Sequence, residues 1–257
     1  MSELASERSG TVSERIAVVT GAGAGLGEVI VRRLHAGGHA VAVVDVDADA
    51  ARTVAEELAA AGPPARGYAV DVSDKAALAA LYDDVVADLG PVDVLVNNAA
   101  RTMATPVLRI SPEELDAVMR VNFNGTFYAC QVFGAAMAER GYGRIVNMAS
   151  LAGQNGGTAT GGHYASSKGA IIAATKVFAR DLASYGVTVN AVSPGPLDSP
   201  TVRRVLGDRL EESTKAIPVG RLGSMPFIAE MVALLASPEA ASVTGATWDA
   251  NGGLYPR

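Results

Sequence analysis

Directly after the first β-branched run, Ile16 to Val19, the chain reads Thr20-Gly21-Ala22-Gly23-Ala24-Gly25-Leu26-Gly27, and a helical pattern begins at once. A strand that turns through closely spaced glycines into a helix gathers backbone N–H groups at one spot. The positive end of the helix dipole lies there too, so the spot suits a pyrophosphate. The commoner Gly-x-Gly-x-x-Gly spacing fails in every register, because its last position falls on Leu26, Glu28 or Ile30. The run reads instead as Thr-Gly-x-x-x-Gly-x-Gly. A loop of this kind needs parallel strands joined by crossover helices, which constrains the remainder of the chain.

The remainder complies. Short buried-strand patterns occur at Val41 to Val44, Arg66 to Val70, Val94 to Val96, Ile145 to Met148 and Val187 to Val192. Between and beyond them lie the helix-length segments Glu28 to Ala36, Ala48 to Ala61, Lys75 to Leu89, Pro112 to Arg140 and Tyr164 to Tyr185. This alternation predicts an α/β fold: a single-domain, Rossmann-type doubly wound parallel sheet of about seven strands with helices on both faces. Residues 1–14 are polar and mixed in charge and read as a flexible tail, leaving 15–257 as the catalytic domain. The Gly-rich stretch Gly153 to Gly162 follows a strand, where loops carry function.

Asp45 ends the second strand eighteen residues beyond Gly27, about where an acidic side chain accepts hydrogen bonds from the adenosine ribose of NAD. A carboxylate there repels the 2′-phosphate of NADP. No Arg or Lys in the glycine loop or just after Asp45 offers that phosphate a partner, so NAD is the expected cofactor. The alternative is that Asp45, Asp47 or Asp49 caps the following helix.

Charge and composition exclude several classes. A net charge of -6 opposes general binding to nucleic acid or anionic membranes, and no run of eighteen apolar residues suggests a membrane span. One cysteine, Cys130, cannot form an intrachain disulfide or a multi-thiolate metal site, and the histidines number three. No metal is expected, and a cytoplasmic setting is.

Tyr164 and Lys168 stand one helical turn apart in Tyr-Ala-Ser-Ser-Lys, fourteen residues after Ser150. Positions i and i+4 share a helix face, so an ammonium can lie near the phenol and favour its ionised form. Such a phenol becomes a general acid/base near neutral pH. Alone, the pair describes many surface helices; together with the glycine loop it describes a site.

Taken in order, these pieces resemble the classical short-chain dehydrogenase/reductase family from about Arg15 to the end of the chain. The motifs that carry the resemblance are the glycine loop, Asp71-Val72, Asn97-Asn98-Ala99-Ala100, Asn122 within Val-Asn-Phe-Asn-Gly, Ser150, Tyr164, Lys168 and Pro194-Gly195. The resemblance implies a catalytic tetrad of Asn122, Ser150, Tyr164 and Lys168. Tyr164 would exchange the proton and Ser150 would hydrogen-bond the substrate oxygen. Lys168 would bind the nicotinamide ribose and favour the phenolate, and Asn122 would hold a water joining Lys168 to solvent. It further implies cofactor contacts at Gly21, Gly25, Leu26, Gly27, Asp45, Asp71, Val72, Asn98, Tyr164, Lys168, Pro194, Gly195, Leu197 and Ser199, with Asn97 bracing strands.

The sequence departs from the family pattern in three places. Ala100 replaces a usual Gly, Ser150 to Tyr164 is one residue longer than the commonest spacing, and Ser199 stands for Thr, keeping the hydroxyl. The implied reaction interconverts a secondary alcohol and a ketone with NAD. The expected pocket is Ser150, Leu151, Ala152, Asn155, His163, Tyr164, Pro196 and Leu197, beneath a lid at about 199–218. Its apolar majority favours an uncharged cyclic or aromatic substrate, unless Arg203 or Arg204 on the lid binds an acid. His163 reads as a pocket wall and Cys130 as a buried hydrophobe. An NAD-retaining epimerase or dehydratase, and a non-catalytic NAD-binding regulatory protein, are the competing functions. A homotetramer is the family expectation, built on the helices Pro112 to Arg140 and Tyr164 to Tyr185 and on the C-terminal Gly245 to Leu254.

Overall fold

The computed structural model describes residues 15–157, 160–200, 202–203 and 207–256. The expected tail 1–14 and the lid residue Arg204 lie outside them. Seven strands form one sheet in the order β3-β2-β1-β4-β5-β6-β7, and every neighbouring pair is parallel. They are β1 Ile16–Thr20, β2 Ala40–Asp45, β3 Ala65–Ala69, β4 Val92–Asn97, β5 Gly143–Met148, β6 Val187–Pro194 and β7 Thr247–Ala250. The order reverses between β1 and β4, and that crevice, at the carboxyl ends of the strands, is where open α/β sheets bind ligands.

Strand side chains alternate between the faces, so consecutive residues enter different cores. Ala17, Val19, Val41, Val43, Val94 and Val96 pack with Ile30 and Leu34 of α1 (Gly25–Ala36), Val54 and Leu58 of α2 (Ala48–Ala59), and Val232 and Leu235 of the helix Met225–Ala236. Ile16, Val18, Ala42, Val44, Leu95 and Ile145 meet α3 (Lys75–Asp88) through Leu78 and Leu81 on the opposite face. Phe133 and Met137, from the helix that comes after β4, join them there. Two dry faces explain why these strands read as continuous apolar runs.

The expected helix from Pro112 to Arg140 forms with an interruption. α4 (Pro112–Met119) and α5 (Gly125–Arg140) are joined by a π-turn, Arg120–Asn124, which contains Asn122. A π-turn takes a carbonyl away from its usual i+4 N–H. Here the Thr126 hydroxyl donates to the Asn122 carbonyl at 2.8 Å instead. A short helix α6 (Ala152–Asn155) leads to α7 (Gly162–Leu182), and a 3-10 turn at Ala183–Tyr185 completes the expected segment. The helix Met225–Ala236 goes beyond the sequence expectation; Ser224 caps it by accepting from the Phe227 N–H at 3.3 Å. Among the described residues no helix is long and apolar enough to cross a membrane.

Candidate active site

Because the sheet is all parallel, the ends of β1, β2, β4, β5 and β6 meet along one edge, and they bring Gly21, Asp45, Asn98, Ser150 and Pro194 to it. The glycine loop is closed from within. Gly21 has φ +63, a conformation that side chains rarely adopt, and a Cβ on Gly27 would run into the Gly21 carbonyl. Asn98 donates its amide to the carbonyls of Thr20 at 3.1 Å and Gly21 at 2.9 Å. The Thr20 hydroxyl accepts from the N–H groups of Asn98 and Ala99, both at 3.1 Å, which accounts for the threonine that opens the motif.

The loop fits a dinucleotide. Ala24, preceding α1, has no side chain that caps the helix, so its first-turn N–H groups are free for an anion, and a Cβ on Gly25 would meet nothing within 4 Å. Asp45 turns its carboxylate inward: Oδ2 accepts from the Gly23 N–H at 2.9 Å and Oδ1 from that of Asp47 at 3.1 Å. The helix cap is Asp47, which accepts from Asp49 and Ala50, and Asp45 is therefore not spent on α2. Asp71 is exposed and turns the chain by accepting from Ser73, while Val72 is buried. Leu26 packs onto the core.

On the other side of the crevice, the phenol of Tyr164 lies beside the hydroxyls of Ser150 and Thr102, close enough for both to favour its ionised form. Lys168 is buried, and its Nζ donates to the Met148 carbonyl at the end of β5, 2.6 Å away, while lying 5.7 Å from the centre of the Tyr164 ring. Burial opposes both charges. It pushes the Tyr164 phenol above its usual range, against the two hydroxyls, and pushes the Lys168 ammonium down to about 8. The balance in this structure thus differs from the simple expectation of a cation that promotes the phenolate. Lys168 sits over the ring face, bonded to backbone, and desolvation is the largest influence on the phenol.

Asn122 is fully buried and acts as a brace. Oδ1 accepts from the Arg101 N–H at 2.7 Å; Nδ2 donates to the Arg101 carbonyl at 3.1 Å and to Ser167 Oγ at 3.0 Å. Ser167 in turn donates to the Tyr164 carbonyl at 2.7 Å. With both amide protons engaged, a water between Asn122 and Lys168 would have to use remaining lone pairs. Asn97 crosses from β4 to Asn147 of β5 at 2.8 Å, and Asn147 reaches Thr175 on α7 at 3.0 Å. Cys130 sits within this network, buried, its thiol pushed up to about 12.

The expected pocket residues are distributed. Leu151 and Ala152 are buried beside Ser150, and Asn155 is exposed, accepting from Gly157. Leu197 packs on the core and pairs with Gly223 in a short parallel bridge, and Gly195 donates to the Ala250 carbonyl at 3.0 Å. Ser199 accepts from the Val202 N–H at 3.1 Å. Pro196 lines a cavity of about 510 Å³ with Ile217, Arg221 and Phe227. His163 lines a different one, of about 300 Å³, with Val107, Ile110 and Leu115. On the lid, Arg203 is held by Asp198 through two contacts of 2.6 and 2.7 Å. The sequence reading missed Thr102, Ser167 and Glu114; Ser167, inside the Tyr-to-Lys motif, and Glu114, in a Ser-x-x-Glu helix start, carried local signals.

Comparison with known proteins agrees with this geometry. The family described as enoyl-(acyl carrier protein) reductase matches residues 21–255. A 2-dehydro-3-deoxy-L-rhamnonate dehydrogenase (NAD(+)) from a Sphingomonas strain is 38% identical over 246 residues, covering 95% of this chain and 97% of its own. The 3-oxoacyl-[acyl-carrier-protein] reductase FabG of Escherichia coli is 36% identical over 243 residues, covering 94% and 97%. The acetoacetyl-CoA reductase of Shinella zoogloeoides is 38% identical over 246 residues, covering 94% and 98%. The chain belongs to the short-chain dehydrogenase/reductase family of oxidoreductases.

Proposed function

We propose that this protein is an NAD-dependent dehydrogenase/ketoreductase that interconverts a secondary alcohol and a ketone. One observation carries the reading: the Tyr164 phenol lies beside the Ser150 hydroxyl, with the Lys168 ammonium over its ring, at the sheet edge that also bears the glycine loop. Bound at that loop, NAD would supply the hydride chemistry. Gly21, Gly25, Leu26 and Gly27 would cradle its pyrophosphate, with Asp71, Val72 and Asn98 along the nucleotide. Pro194, Gly195, Leu197 and Ser199 would wall the nicotinamide. Tyr164 would give its proton to the substrate oxygen in reduction and take it back in oxidation, and its raised proton affinity favours the donor form. Ser150 would stabilise the charge developing on that oxygen. Lys168 would hold the ribose, and Asn122 would brace the site. The inward carboxylate of Asp45, free of any capping duty, supports NAD over NADP.

Two substrate classes have specific support. The buried Leu151 and Ala152, and the pairing of Arg203 with Asp198, favour an uncharged substrate, for which we propose a cyclic or aromatic alcohol as the case to test. The activities for which the relatives are named favour an oxo acid or oxoacyl compound, and Arg221, exposed on the cavity that includes Pro196, is a cation suited to one. The test is NADH formation or consumption against a panel spanning both classes, comparing NAD with NADP and wild type with Tyr164→Phe. Turnover with NAD that Tyr164→Phe abolishes is expected. Turnover with NADP alone would refute the Asp45 argument, and activity retained in Tyr164→Phe would refute the proton-transfer assignment. We take residues 15–257 to act as one domain, in the cytoplasm, as a homotetramer; a monomer by light scattering would refute the last.

A further inference from the structure

The helix that carries Tyr164 begins badly. Gly161 precedes α7 and supplies no side-chain cap, Gly162 is the first residue, and Tyr164 is only two positions further on. An uncapped first turn frays, and two glycines make fraying easier, yet proton transfer needs the phenol held to a fraction of an ångström. His163 is completely buried at this turn, and its Nε2 lies 2.8 Å from Oε1 of Glu114 on α4. An ionised carboxylate accepts only, so Nε2 is the donor in this contact; Nδ1 is buried with no partner.

Glu114 is itself fixed. Its backbone N–H donates to Ser111, which caps α4, and the Thr105 hydroxyl and His163 both help hold its carboxylate below the usual range. The Ser-x-x-Glu pattern would allow this carboxylate to return to its own helix start; here it is turned to His163. The neighbouring chain is stitched to the same turn: the Gly161 N–H donates to the Met103 carbonyl at 2.7 Å, and a Cβ on Gly161 would collide with the His163 ring. Asn122 clamps both backbone groups of Arg101, immediately before Thr102, whose hydroxyl meets the Tyr164 phenol.

We infer that the pair formed by buried His163 and partly exposed Glu114 is a positioning clamp. It replaces the missing helix cap and holds the Tyr164 phenol between Ser150 and Thr102. The inference rests on the proton-transfer role proposed above for Tyr164. Neither member of the pair touches the phenol, so both are positioning residues and not catalytic ones. H163F keeps the bulk and removes the donor, H163Q keeps a donor, and E114A breaks the same bond from the more exposed side.

Each variant is assayed with the best panel substrate for kcat and KM, and by amide hydrogen exchange across residues 160–166. H163F and E114A should lower kcat about tenfold or more with KM for NAD little changed, and H163Q should recover most of it. Exchange at Gly161 and Ala165, whose N–H groups donate to the Met103 and Gly161 carbonyls, should speed up in H163F and E114A alone. A variant pair that keeps both kcat and local protection overturns the clamp, as does equal loss in H163Q. If H163F does not fold, E114A decides. If no substrate in the panel turns over, the functional reading is what fails, and the exchange rates alone decide the clamp: unchanged protection overturns it.

Discussion

Lys168→Met should make the protein more stable near neutral pH while removing its activity. Lys168 is 3% exposed, and burial pushes its ammonium from 10.5 down to about 8. The unfolded chain keeps this proton up to about 10.5, so between those values it binds more protons than the folded chain, and wild-type stability rises with pH across that window. Below about pH 8 the folded protein bears the whole cost, ~3 kcal/mol at 1.36 kcal/mol per pH unit. Methionine removes that cost but leaves the Met148 carbonyl without its 2.6 Å donor, a loss of ~1–2 kcal/mol. The net gain is then ~1–2 kcal/mol near pH 7, shrinking to nothing or reversing by about pH 10. Equilibrium urea unfolding of both proteins at the two pH values reads this directly. A difference that does not change with pH, or a variant less stable near pH 7, would refute the claim that stability is given up to keep this charge in place.

The remaining expectations concern other parts of the site. Gly27→Ala should weaken NADH binding about tenfold or more in a fluorescence titration, because the methyl group drives against the Gly21 carbonyl and Asn98 and opens the loop. Asn147→Leu should cost ~2–3 kcal/mol in urea unfolding, since it leaves Asn97 and Thr175 buried with fewer partners. Cys130 should resist a thiol reagent in the native protein and react at the rate of unfolding, being buried and poorly ionised.

Most of the architecture was legible because it is written locally. Val41 to Val44 and Val187 to Val192 sit in dry strands on both faces, so they appear as apolar runs, and the glycine loop marks where the first strand becomes a helix. The helix Met225–Ala236 escaped because its sequence is apolar almost throughout and shows no helical stripe; only the Ser224 cap announces it. The site was legible where one residue type does one job, as with Tyr164 and Lys168. The contacts that set their proton affinities were not. Met148 reaches Lys168 from twenty residues away, Thr102 reaches Tyr164 across sixty-two, and Glu114 reaches His163 across forty-nine. Such partners are created by the packing of α4, β5 and α7, and no spacing rule encodes them.

The π-turn at Arg120–Asn124 amounts to one residue too many in a helix that would otherwise run straight through. Deleting a single residue there would remove the wide turn and restore ordinary helical geometry between α4 and α5. Asn122 would then lose its reach to Arg101 and Ser167, and Thr126 its place over the Asn122 carbonyl. The locally worse turn is therefore the one compatible with the site. An engineer who idealises this helix should expect a protein that folds more readily and catalyses less.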